Sequence, residues 1–206
     1  METQFVVDEE KKEVQNCNYA GRIEKAAYVA WRLSSRLPYH NFHHAVDVYS
    51  AANVLAHMEN AGQEDRFLLK TAALFHDVLF RVGYNYNEEV SARWAKRCLP
   101  HLGYSPEQTE KAARLILATK LPTHPENLLE QILCDADVDN LGREDFFDRG
   151  EALRTELGAE PGIKWQEAQL KFLGSHRYYT VSARNLRDEG KRRNLAELEK
   201  GLRGAR

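Results

Sequence analysis

The chain has 206 residues, a formal net charge of −2 and 43% hydrophobic residues. That is enough apolar content for a sizeable core and a folded globular protein, without the basic excess of a dedicated nucleic-acid binder. The three cysteines, Cys17, Cys98 and Cys134, are odd in number and widely spaced, which reads as reduced thiols in a cytoplasmic protein rather than a disulfide framework. The stretch Met1 to Gln15 is charged and carries no apolar signal core. No apolar run approaches the roughly 20 residues that cross a bilayer.

In chain order, residues 1–16 are mostly polar and read as a flexible lead-in. Tyr19 to Leu33 places Ile23, Ala26, Ala27, Ala30 and Trp31 at helical spacing, and Pro38 stops the helix. His44 to Met58 predicts a second helix with Val46, Tyr49, Val54 and Leu55 inward, closed by Asn60-Ala61-Gly62. Arg66 to Phe80 is nearly continuously apolar at its centre, as in a helix buried on most sides. Gly83 to Asn87 is a loop. Glu88 to Leu99 resumes a helix whose first two carboxylates suit its dipole. Ser105-Pro106-Glu107 is an N-cap with proline at the first helical position, and that helix runs to about Thr119. Leu121 to Pro125 is a rigid turn, and Asn127 to Cys134 leads into an acidic cluster. From Arg143 two or three further helices are expected, the last rich in Lys, Arg and Glu. No alternating β pattern interrupts them, so the fold class is all-α. One domain covers residues 17–206, with a helical extension from about residue 143.

Three segments carry ionisable side chains where a core wants none. Tyr39-His40-Asn41-Phe42-His43-His44 holds three of the eight histidines. On a helix His40 and His44 share a face, and His43 points about 100° away. His76-Asp77 interrupts the apolar run Ala72 to Phe80. Asp135-Ala136-Asp137 follows the apolar Leu128 to Cys134. A buried charge must be paired or bound to a metal, and one ion shared by the three segments satisfies all of them. Imidazole and carboxylate without thiolate suit Fe, Mn, Co, Ni or Zn.

The order His, His-Asp, Asp on a helical chain resembles the HD-domain superfamily of metal-dependent phosphohydrolases. Tyr39-His40-Asn41-x-x-His44-Ala45-x-Asp47-Val48 also resembles a motif of class I cyclic-nucleotide phosphodiesterases. Closer still is a bacterial family of small predicted HD-type phosphohydrolases. The matching pieces are Arg36 to His44, Phe75-His76-Asp77, Asn87 to Ala92, Ile116 to Thr119 with His124 downstream, and Asp135 to Gly142. The resemblance implies a single compact HD-type helical domain with metal ligands His44, His76, Asp77 and Asp137. Asp137 is preferred to Asp135 because the superfamily's last ligand follows a small residue and precedes an aliphatic one. Asp135 stays open as that ligand, and Asp135 or Asp139 as an acceptor for a ligand imidazole.

The function this implies is hydrolysis of a phosphate ester, a small phosphorylated metabolite or nucleotide, by metal-activated water. Whether it is a mono- or diesterase stays open. His40 matches the general acid of the phosphodiesterases, and Glu88 or Glu89 is a candidate to orient the water. Arg36, Lys120 and His124 are candidate phosphate contacts. One divalent ion is expected to be tightly held, with a weaker second Mg or Mn left open. The phosphodiesterases place a further histidine where this chain has Phe80. Two-metal relatives, including di-iron oxygenases, place one near Asn87. Cyclic-nucleotide specificity is therefore not carried over, and the oxygenase is an alternative. A non-catalytic interaction module with the same fold is another. Membrane and nucleic-acid partners are not expected, and a homodimer is left open.

Overall fold

A computed structural model describes residues 2–204, with side chains described from residue 18 to residue 204. The chain folds as α1 (Glu2–Leu33), α2 (Phe42–Met58), α3 (Gln63–Phe75), α4 (Asn87–Cys98), α5 (Pro106–Ala118), α6 (Leu128–Asp137), α7 (Phe146–Glu156), α8 (Ile163–Ser175) and α9 (Val181–Gly204). Single 3₁₀ turns cover Leu99–Leu102 and Asp139–Gly142. No strand occurs among the described residues, and the all-α expectation holds. No helix there is long and apolar enough to cross a membrane. Residues 1–16, expected as a lead-in, join α1 from Glu2. Their side chains, and that of Cys17, lie outside the described ones.

The centre is α3. Phe67, Leu68, Leu69, Thr71, Ala72, Ala73, Leu74 and Phe75 are each at most 3% exposed, which buries the helix on most sides. α2 runs along it, and α1, α5 and α6 cover its other faces. Sealing a side chain the size of Phe75 stabilises the fold by on the order of 2–3 kcal/mol. The helix was expected to continue to Phe80, but it ends at Phe75, and Leu79 takes a positive φ of 59°. His76, the residue after the last turn, still has helical dihedrals, and Asp77 follows it. On α2 the expected inward positions hold for Leu55 and for Tyr49, which packs partly buried on the core, but not for the two valines. Val46 and Val54 are 41% and 47% exposed, while Val48, Ala52 and Leu55 are buried. Val48, Ala52 and Leu55, at spacings of four and three, share one face and form the inner stripe. The Ser105 cap of α5 is a full capping box with Gln108.

The C-terminal third packs on the site-bearing core. α9 crosses the 3₁₀ turn Asp139–Gly142 with almost no space between backbones. A Cβ on Gly190 would stand 1.9 Å from the Gly142 carbonyl oxygen. The Arg187 guanidinium forks onto the Asp139 carboxylate at 2.6 and 3.0 Å. The Asn194 amide donates to the carbonyls of Leu141 and Arg143 at 2.9 Å. These contacts fix the segment that follows Asp137.

Candidate metal centre

Three segments deliver four donors. Asn41 caps α2, its side-chain oxygen accepting the His43 and His44 amide hydrogens at 2.8 and 3.2 Å. Its amide donates back to the Leu37 and Pro38 carbonyls, which fixes the first turn and His44 with it. His76 is the C-cap of α3, and Asp77 follows it in the break. Asp137 is the last residue of α6. One ligand atom from each of His44, His76, Asp77 and Asp137 lies within 4.8 Å of the others. His44 Nε2 stands 3.2 Å from His76 Nε2, 3.1 Å from Asp137 Oδ1 and 3.6 Å from Asp77 Oδ2. His76 Nε2 stands 3.0 Å from Asp77 Oδ2 and 3.2 Å from Asp137 Oδ1.

This donor set fits a divalent ion. His76 Nδ1 donates to the Ala73 carbonyl at 2.8 Å, which leaves Nε2 of a neutral ring as a lone-pair donor facing His44. Metal–ligand bonds of about 2.1 Å give donor–donor edges of about 3.0–3.4 Å in octahedral or tetrahedral geometry; four of the separations above fall in that range, and His44 to Asp77, at 3.6 Å, lies just beyond it. Two imidazoles and two carboxylates in this proximity need a cation or shared protons between them. Burial opposes charge on His76, but the charges of Asp77 and Asp137 raise its imidazole well above the ordinary value. Burial likewise opposes ionisation of Asp77 and Asp137, and the His76 charge and its hydrogen bonds hold both carboxyls below their usual range. The imidazole side is sealed, with His44 and His76 side chains 6% and 1% exposed, while Asp77 and Asp137 keep 13% and 22%. The site therefore opens along its carboxylates.

His40 reaches the rim. Its Nε2 lies 3.8 Å from Asp77 Oδ2, and its ring stacks on Phe80 at 3.7 Å between centroids and 11° between planes. Phe80, where the phosphodiesterases carry another histidine, is thus an apolar platform. Behind the ring stands Glu156 from α7, which sequence reasoning missed. Its fully buried carboxylate contacts His40 Nδ1 and accepts the amide hydrogens of Tyr39 and His40 at 2.9 and 2.8 Å. Burial raises the Glu156 carboxyl, but the hydrogen bonds from His40 and Tyr39 bring it below its usual value, so it is ionised. Tyr39 packs on His44 at 4.9 Å. Burial, then the charges of Asp137 and Asp77, keep its phenol protonated.

The other candidates fall in three places. The half-buried Glu88 feels the site, since burial and then the charge of Asp77 lift its carboxyl above the ordinary value. Glu89 and Lys120 form an ion pair with each other. Arg36 lines a groove with His43, round the first turn of α2 from the cluster. His124 is exposed in the α5–α6 connection.

Asp135 faces away from the cluster. It accepts from the amides of Tyr179 and Thr180 at 2.8 Å and from the Thr180 hydroxyl at 2.7 Å. Asp139 is held by Arg187. Neither accepts from a ligand imidazole. Cys134 is a buried thiol pushed up to about 12 by burial and then by Asp137 and Asp135, which leaves it protonated beside the site. Asn87, near the position of the missing second-metal histidine, clasps its own loop through the Arg81 amide and the Arg81 and Tyr84 carbonyls at 2.9–3.0 Å. His101 is exposed on its 3₁₀ turn. Among the described residues no second group of donors forms beside the first.

No protein-family model and no curated protein sequence matches the chain significantly. Solved structures do. The crystal structure of Bacillus subtilis YpgQ in complex with ADP superposes with a TM-score of 0.68 at 20% identity, covering 91% of this chain and 98% of that one. A further YpgQ crystal structure and a selenomethionine form each give a TM-score of 0.67 at 19% and 20% identity, over 91% of this chain and 99% and 97% of theirs. The fold is therefore shared over nearly the whole length of both chains. Within that shared helical fold, His44, His76, Asp77 and Asp137 form a group that could hold a metal ion.

Proposed function

We propose that this protein hydrolyses a phosphate ester of a small phosphorylated metabolite, a nucleotide being the favoured class. The observation that carries the reading is the quartet itself, with His40 on its open rim. His44, His76, Asp77 and Asp137 would hold one divalent ion. Such an ion supplies Lewis acidity and lowers the pKa of a water molecule it holds. The chain's own residues do the rest. Glu156 holds His40 Nδ1 as the hydrogen-bonding nitrogen, which turns Nε2 toward the rim. From there Nε2–H delivers a proton to the departing ester oxygen. Phe80 fixes the ring plane and excludes water from its face. Glu88, kept less acidic by burial, accepts a hydrogen bond from the attacking water and orients it. The nucleotide class is supported by the ADP in the crystal structure of the YpgQ protein.

The test is phosphate release from a panel of nucleoside phosphates and phosphomonoesters, with wild type and His40→Gln. The expected result is turnover of at least one nucleotide, with kcat falling about 10²–10⁴-fold in the variant and metal content unchanged. No release from any substrate by metal-loaded protein, or a His40→Gln variant as active as wild type, would overturn it.

A further inference from the structure

A groove of about 460 Å³ lies between the C-terminal end of α1 and the first turn of α2. Its volume is in the range of small-molecule sites, about 300–1,000 Å³. Trp31, Arg32, Ser34, Arg36 and His43 are among its nine lining residues, and none of the nine is Asp or Glu. In a chain with 31 acidic and 29 basic residues that one-sided lining stands out. Elsewhere the structure couples arginines to carboxylates, as in Arg143 with Asp145, Arg149 with Asp47 and Arg187 with Asp139. Arg32 and Arg36 have no side-chain hydrogen bond or ion pair among the described residues. Arg32 sits in the last turn of α1, where a cation suits the helix dipole, but that uses none of its N–H donors.

The groove is also built. Its floor is pinned by the Ser34 and Ser35 hydroxyls, which donate to the Ala30 and Phe80 carbonyls at 2.8 Å. Antiparallel bridges join Ser34 to Val78 and Arg36 to Asn41. Trp31 is 54% exposed above this floor, and its neighbour Tyr28 62%. An indole open to solvent beside two unpaired guanidinium forks offers a stacking face and bidentate donors together.

We propose that this groove is a second ligand site, separate from the metal centre, that takes a nucleoside phosphate, with the base on Trp31 and the phosphate on Arg32 and Arg36. None of the four metal-centre residues lines it. His43 faces it while His44, about 100° round α2, faces the cluster. The proposal does not depend on the hydrolase reading, because it requires neither metal nor turnover.

The test is titration of the full chain with ADP, followed by tryptophan fluorescence. We expect saturable quenching that disappears in Trp31→Phe. It weakens at least about tenfold in the double variant Arg32→Ser/Arg36→Ser. Asp77→Ala, which breaks the metal centre, leaves the half-saturation point unchanged. Circular dichroism checks helicity. Should the double variant lose it, Arg32→Gln and Arg36→Gln replace it, each expected to weaken binding about threefold. Absence of saturable quenching at millimolar ADP overturns the proposal. So does quenching that the arginine variants keep and Asp77→Ala abolishes, which assigns the nucleotide to the metal centre. Binding of a single-stranded oligonucleotide but not of ADP also overturns it.

Discussion

Glu156 and His40, 116 residues apart, form a closed clasp. The buried carboxylate takes the His40 backbone amide with one oxygen and the Nδ1 side of the ring with the other. The histidine at the rim is thus oriented from α7, an element that contributes no metal ligand. Removing the charge while keeping an acceptor isolates that role. Glu156→Gln is expected to lower kcat by about 10- to 100-fold with little change in KM and no loss of bound metal. Steady-state kinetics on the substrate that the screen identifies, with metal content measured in parallel, check it.

Asp135 and Asp137 are two residues apart and do opposite work. Asp135→Asn withdraws an acceptor from the buried Thr180 amide and hydroxyl. That is expected to cost about 1–3 kcal/mol of stability while leaving metal content intact. Asp137→Asn is expected to do the reverse: most of the metal lost, with a smaller stability change. Urea unfolding and elemental analysis of both variants separate the two roles.

The crossing of α9 over the turn after Asp137 admits no side chain. Gly190→Ala would drive a Cβ into the Gly142 carbonyl, and Gly142→Ala would meet the Arg187 carbonyl oxygen at 2.4 Å. Both obstacles are backbone, so neither yields by a rotamer change. Each substitution is expected to destabilise by about 3 kcal/mol or more, read as a lowered urea midpoint.

His176 sets an acid limit. Burial, then the charges of Lys191 and Arg177, lower its imidazole to about 4 from 6.5. Above pH 6.5 the ring is neutral in both folded and unfolded chains and contributes nothing. As pH falls from 6.5 to 4 the unfolded chain takes up a proton that the folded chain refuses, so stability falls, and the loss is complete below 4. His176→Phe is expected to recover about 2 kcal/mol of the difference between pH 7 and pH 4.5, discounted for partial exposure. Denaturation of both proteins at the two pH values gives the comparison.

Sequence and structure agree where signals are local. The Ser105-Pro106 cap, the apolar centre of α3 and the three ionisable interruptions each rest on neighbours within a few residues. The preference for Asp137 over Asp135 came from the resemblance to the superfamily's pattern, and it is Asp137 whose carboxylate lies beside His44 and His76. What was not legible is long-range. Glu156 sits in a charged helical stretch with nothing to distinguish it from a solvated carboxylate, and its role exists only once α7 docks behind His40. Glu89, read as a candidate to orient the water, and Lys120, read as a candidate phosphate contact, meet each other across 31 residues. Val46 and Val54 read as inward because apolar residues usually are, but α2 docks on the core through the face of Val48, Ala52 and Leu55.

The most direct test of the centre is metal content per chain, by elemental analysis of protein purified without chelator, for wild type and Asp77→Ala. The account predicts one equivalent of a divalent first-row ion in the wild type and less than about a tenth of that in the variant. No metal in either protein, with none taken up on titration, would contradict it, and two irons per chain would replace the hydrolase with an oxygenase.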